Sequence, residues 1–126
     1  MDRKIVATDK APGAVGPYSQ AVIAGDFVYT AGMLGLDPST GQLVSQDVGK
    51  QTRQALMNLK GILEAAGSSL DKAVKLSVFL TDIKNFGEMN AVYAEFFPSD
   101  PPARTTVEIG ALPLSGLVEI DAVALR

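Results

Sequence analysis

The segment Leu117 to Leu125 restricts the fold more than any other part of the chain. Successive side chains of a strand point to opposite faces. Read that way, Val118, Ile120, Ala122 and Ala124 share one face, and Leu117, Glu119, Asp121, Val123 and Leu125 share the other. The first face is wholly apolar, and the second is too apolar to lie in water. A sheet holding this strand must therefore be covered twice. The remaining sequence contains two helical stretches, enough for one face. The other face is expected to pack against a second copy of the same chain.

The first helical stretch starts after Asp47. Val48, Thr52, Ala55, Leu59, Ile62 and Ala66 recur at steps of four and three, with Asp47 placed to cap the start and Gly67 the end. Lys50, Arg53, Gln54, Asn58, Lys60 and Glu64 fall largely on the solvated side. The second stretch follows Thr81 or Asp82 as cap and carries Phe86, Met89, Tyr93 and Phe96 at helical spacing; Pro98 and Pro101-Pro102 forbid continuation.

Strands are expected at Lys4 to Ala7 on an edge, at Ala21 to Ala24 and Phe27 to Ala31 around a Gly25-Asp26 hairpin turn, and at Ala73 to Leu80, Ala103 to Ile109 and Leu117 to Leu125. In Ala73 to Leu80 the residues Val74, Leu76, Val78 and Leu80 share a face. The order is βββαβαββ, an α+β domain with a six-stranded sheet and two helices on one face. At 126 residues, residues 1–126 are read as one domain.

Composition removes whole classes of chemistry. With no cysteine and no histidine, the chain has no thiolate or histidine-activated nucleophile and no histidine or cysteine metal ligand. No Asp-rich loop has calcium-binding spacing, so no metal is expected. A net charge of −3 disfavours a grip on nucleic acid. The start, Met1-Asp2-Arg3-Lys4-Ile5-Val6, lacks a signal-peptide core, and no run approaches the roughly 20 apolar residues of a membrane span. A cytoplasmic protein is expected, with no membrane partner.

Arg104 follows the double proline. Thr105, Val107 and Ile109 alternate with Arg104, Thr106 and Glu108, so the apolar set is assigned to the helix-packed face and Arg104 to the opposite, oligomer-facing side. Its planar fork of donors suits a carboxylate; an intersubunit ion pair with Glu119 or Asp121 would use it equally well. Glu119, on the mixed face of the last strand, can either hold and deprotonate a water after partial desolvation or form a salt bridge. Tyr18, after the rigid Gly16-Pro17, can wall a pocket or simply pack. Asn90, flanked by Phe86 and Tyr93, has the bland reading of satisfying backbone groups. Neither Gly13 to Gly16 nor Gly32 to Gly35 has the form of a phosphate loop.

Four stretches together resemble the RidA family of reactive-intermediate deaminases: Gly16-Pro17-Tyr18-Ser19-Gln20, Gln51-Thr52-Arg53-Gln54-Ala55-Leu56, Asn85-Phe86 through Asn90 to Phe97, and Pro102-Ala103-Arg104 through Glu119. The resemblance runs nearly end to end. It implies a homotrimer of chorismate-mutase-like subunits with clefts between them, and hydrolysis of 2-iminobutanoate and 2-iminopropanoate to 2-keto acids and ammonia without cofactor or metal. Arg104 would then bind the substrate carboxylate and Glu119 would hold the attacking water. Tyr18, Gly32 and Asn90 would shape the pocket, and backbone groups near Thr106 would orient the imine. Thr106 stands where some relatives carry cysteine, and Asp121 where relatives often carry glutamate. Two other classes remain open: a non-catalytic or regulatory protein binding small carboxylates in the same cleft, and the translation-inhibitor or ribonuclease activity with which relatives have been labelled.

Overall fold

The computed structural model describes residues 2–126. Strand β1 (Arg3–Val6) pairs antiparallel with β2 (Ala21–Ala24), which returns through a hairpin as β3 (Phe27–Thr30). Gly25 makes that turn possible at φ 60°, a left-handed conformation that costs glycine no steric penalty. A two-residue strand, β4 (Met33–Leu34), continues the line of β3 and pairs with a different part of the same neighbour. It is the one strand that the sequence pattern does not announce, and it makes seven strand segments on six strand lines.

Helix α1 (Val48–Ala65) begins where the Asp47 carboxylate accepts from the Lys50 amide and ends before Gly67 at φ 81°. Strand β5 (Ala73–Leu80) follows, then a 3-10 turn capped by Asp82, then helix α2 (Phe86–Phe96). The chain closes with β6 (Ala103–Glu108) and β7 (Val118–Leu125). The strand order is β1-β2-β3-β7-β5-β6, with β5 and β6 the parallel pair joined through α2 and all other pairs antiparallel.

Both helices cover one face. The buried side chains Leu56, Leu59 and Ile62 of α1 and Met89 of α2 belong to one cluster with Leu76, Val78, Leu80, Val118, Ile120 and Ala122. Buried polar groups tie the loops to this core: the Asn58 amide donates to the carbonyls of Leu34 and Leu36, and Gln51 donates to the Ser45 carbonyl while accepting from the Leu117 amide. Val74 does not join the apolar face of β5. An irregularity in the β5–β7 register between Ala73 and Lys75 turns it out, and it is 38% exposed.

The opposite face is open and apolar. Ile5, Val22, Tyr29 and Val123 sit side by side across four strands, and Ile5 and Tyr29 are about half exposed. Phe27, Val107 and Leu125 are also among the exposed large apolar residues. The two-faced character read from the last strand is thus present across the sheet.

Candidate functional site

Arg104 lies on β6, the sheet edge, and faces the helices. The parallel register aligns Leu76 with Arg104 and Val78 with Thr106, and aligned residues share a face. This reverses the expected parity, in which Thr105 and Val107 were the helix-side set. The reason is that β6 is the edge strand: its helix side meets the Phe86 and Tyr93 rings of α2 at Arg104, and Val107 lies on the open face with 39% exposure. Thr105 on that face accepts from the Lys75 ammonium.

The Arg104 guanidinium carbon stands 4.6 Å from the centre of the Tyr93 ring and 5.6 Å from that of Phe86. Asn90 lies between these residues along α2, and Asn90, Tyr93, Ala94, Pro101, Pro102 and Arg104 line an open cleft of about 390 Å³. Among the described residues the salt bridge formed is Arg53 to Glu95, and none of their carboxylates pairs with Arg104. Two buried oxygens close to it, Tyr93 Oη and Thr106 Oγ1, have no hydrogen-bond partner. Burial pushes the Tyr93 phenol up, against the opposing pull of the Arg104 charge. The arrangement is a cation displayed on an aromatic face with unsaturated hydroxyls around it.

Glu119 lies on the other side of the sheet, in register with Phe79 and Leu34. Desolvation pushes its carboxyl above the usual glutamate range, and the nearby Asp121 charge pushes it further. Asp121 is itself raised by burial, partly offset by hydrogen bonds from Ser77 and by the Lys75 charge. Gly32, at the break between β3 and β4, backs directly onto Glu119: a Cβ there would lie 2.2 Å from Oε1. The glutamate therefore occupies space that only glycine leaves.

The chain thus joins some predicted site residues and separates others. Arg104, Thr106 and Asn90 form one group; Gly32 and Glu119 form a second on the opposite face. Tyr18, half exposed, lines a different surface hollow with Ile5, Thr8 and Gln20. It precedes β2, four strand spacings or roughly 19 Å from β6. Phe86 and Tyr93 were legible in sequence only as helix-packing residues. The signal available was their spacing with Asn90 and Phe97, which puts all four on one helical face.

These features define a small α+β fold with an arginine on an aromatic face at one sheet edge and a desolvated glutamate on an uncovered sheet face. The sequence profile of the endoribonuclease L-PSP family matches residues 8–126. A RutC family protein of Pyrococcus horikoshii is 48% identical over 98% of this chain and 98% of its own. The 2-iminobutanoate/2-iminopropanoate deaminase of Homo sapiens is 46% identical over 98% of this chain and 90% of its own. The crystal structure of RidA from an Antarctic Psychrobacter species superposes with a TM-score of 0.94 at 44% identity, covering 98% of this chain and 99% of that one. The chain belongs to the RidA, or endoribonuclease L-PSP, family.

Proposed function

We propose that this protein is a hydrolytic deaminase that converts 2-imino acids, with 2-iminobutanoate and 2-iminopropanoate as the expected substrates, to 2-keto acids and ammonia. The observation that carries the reading is Arg104, a cation with no carboxylate partner among the described residues and held beside a cleft. The name of the human relative, 46% identical, supports the same reaction.

The chemistry asks little of the protein. A protonated imine is already electrophilic, so catalysis consists of fixing the carboxylate and aiming a water. Arg104 takes the carboxylate through its in-plane donors. Glu119 accepts a proton as water oxygen bonds to the imine carbon, and passes a proton to nitrogen. The carbon–nitrogen bond of the resulting carbinolamine then breaks, the hydroxyl proton is lost, and keto acid and ammonium leave. A carboxylate with a raised pKa suits this exchange better than an ordinary one.

One small substrate cannot touch Arg104 and Glu119 of the same chain, because the sheet stands between them. In this reading a neighbouring copy lays its open face against the β6 edge, so that Arg104, Thr106 and Asn90 of one protomer meet Gly32, Glu119 and Tyr18 of its partner. A contact joining two different patches is head-to-tail and forms a ring when its rotation closes; the closure that the family resemblance implies is a homotrimer.

The test is a threonine dehydratase reaction followed by keto-acid release. Added protein is expected to accelerate release, and Arg104→Ala is expected to abolish the effect. An unchanged rate with wild-type protein refutes the deaminase. Tight 2-keto acid binding without turnover would replace it with a carboxylate-sensing role.

A further inference from the structure

We infer that Tyr93, with Phe86 beside it, is the positioning residue that presents Arg104 to the substrate carboxylate. The inference rests on the proposed function for the identity of the anion, and adds that the anchor is an aromatic clamp instead of a bare arginine. β6 is the last strand of the sheet, so no further strand flanks Arg104, and a long side chain there has many rotamers to lose. The two rings at 4.6 and 5.6 Å remove that freedom.

A guanidinium lying against a ring face keeps its N–H donors in its own plane, directed outward at the edge, where a carboxylate is met by two parallel bonds. The cost of ordering the anchor is then met before the ligand arrives. Tyr93 is suited to this. It is 5% exposed, and its ring packs on Phe97 with centres 4.8 Å apart, so the platform is itself held in place. Among the described residues its hydroxyl has no partner in good hydrogen-bond geometry, although Arg104 lies near enough to oppose the rise of its pKa. The contact assigned to Arg104 is the ring face. Phe86, 38% exposed, forms the outer and weaker side of the clamp.

The test has a readout independent of turnover. In the unliganded protein, the Arg104 Nε–H resonance is expected to be displaced by ring current in the wild type and in Tyr93→Phe, and to return toward the position of a free arginine in Tyr93→Leu. Affinity for 2-oxobutanoate, measured by calorimetry, is expected to fall roughly tenfold in Tyr93→Leu and about threefold in Phe86→Leu, with Tyr93→Phe rescuing binding to within about twofold of wild type. An undisplaced Arg104 resonance in the wild type overturns the clamp. So does a Tyr93→Leu affinity equal to wild type, or an equal loss in the Phe and Leu variants. Should Tyr93→Leu fail to fold, the half-exposed Phe86→Leu decides: unchanged affinity and resonance overturn the inference. A displaced resonance in a protein that neither binds 2-oxobutanoate nor hydrolyses imines upholds the clamp and refutes the proposed function.

Discussion

Gly32→Ala separates the placement of Glu119 from the stability of the fold. Gly32 has no left-handed backbone angle, so alanine is conformationally acceptable and the perturbation is one methyl group. That methyl would lie 2.2 Å from Glu119 Oε1, 2.7 Å from Cδ and 2.9 Å from Cγ. Ordinary contact begins near 3.4 Å, so the carboxylate end must retreat by about 1.2 Å. The atoms struck belong to the far end of a flexible side chain, and leaving a favoured rotamer costs roughly 0.5–1.5 kcal/mol. A melting-temperature decrease of about 2–8 °C is expected for a domain of this size. The catalytic consequence is larger, because a misplacement of about 1 Å at a reacting group costs on the order of 100-fold in rate. Imine hydrolysis by Gly32→Ala should therefore lose about two orders of magnitude in kcat. Its affinity for 2-oxobutanoate, set at Arg104 on the other sheet face, should stay within about threefold. Wild-type kcat in a folded variant would refute the reasoning. A kcat loss accompanied by unfolding would show that the contact is structural.

Glu119 has a raised folded-state pKa, so its charged form is the one the fold disfavours. Its stabilising contribution is complete below the unfolded value near 4.5 and is lost as pH rises through the folded value. Glu119→Gln is thus expected to raise the melting temperature at neutral pH, with the gain vanishing in acid, in a pH series of thermal melts. Because the Asp121 charge is the second cause of the shift, Asp121→Asn should move the acid limb of the kcat–pH profile to lower pH. Asn58→Ala removes the donors to the Leu34 and Leu36 carbonyls and should cost about 3 kcal/mol, read as a lower urea midpoint at unchanged slope. Tyr29→Glu places a charge in the apolar row of the open face; sedimentation should then report the 13.2 kDa monomer in place of the proposed trimer, and the proposed imine hydrolysis should be lost with assembly.

Local pattern was enough for much of this molecule. Asp47, Gly67 and the prolines after Phe97 mark helix ends through interactions that span a few residues, and β2 and β5 begin and end where alternation predicts. The mixed face of Leu117 to Leu125 announced the open sheet surface, because burial of one strand face is written into every second residue. Arg104, Glu119, Gly32, Thr106, Asn90 and Tyr18 were nameable from their motif context. Their grouping was not. Alternation assigns the apolar residues of β6 to the helix face on the assumption that helices are what apolar residues pack against, yet on this edge strand the apolar side is the one left open. Which way Arg104 points depends on its parallel register with Leu76, a pairing made across 27 residues of intervening sequence. The clamp by Phe86 and Tyr93 and the pressing of Gly32 against Glu119 depend likewise on distant segments meeting. Periodicity and capping act over single turns and strands and are legible along the chain, whereas strand register and the packing of one element on another exist only after the whole core has formed.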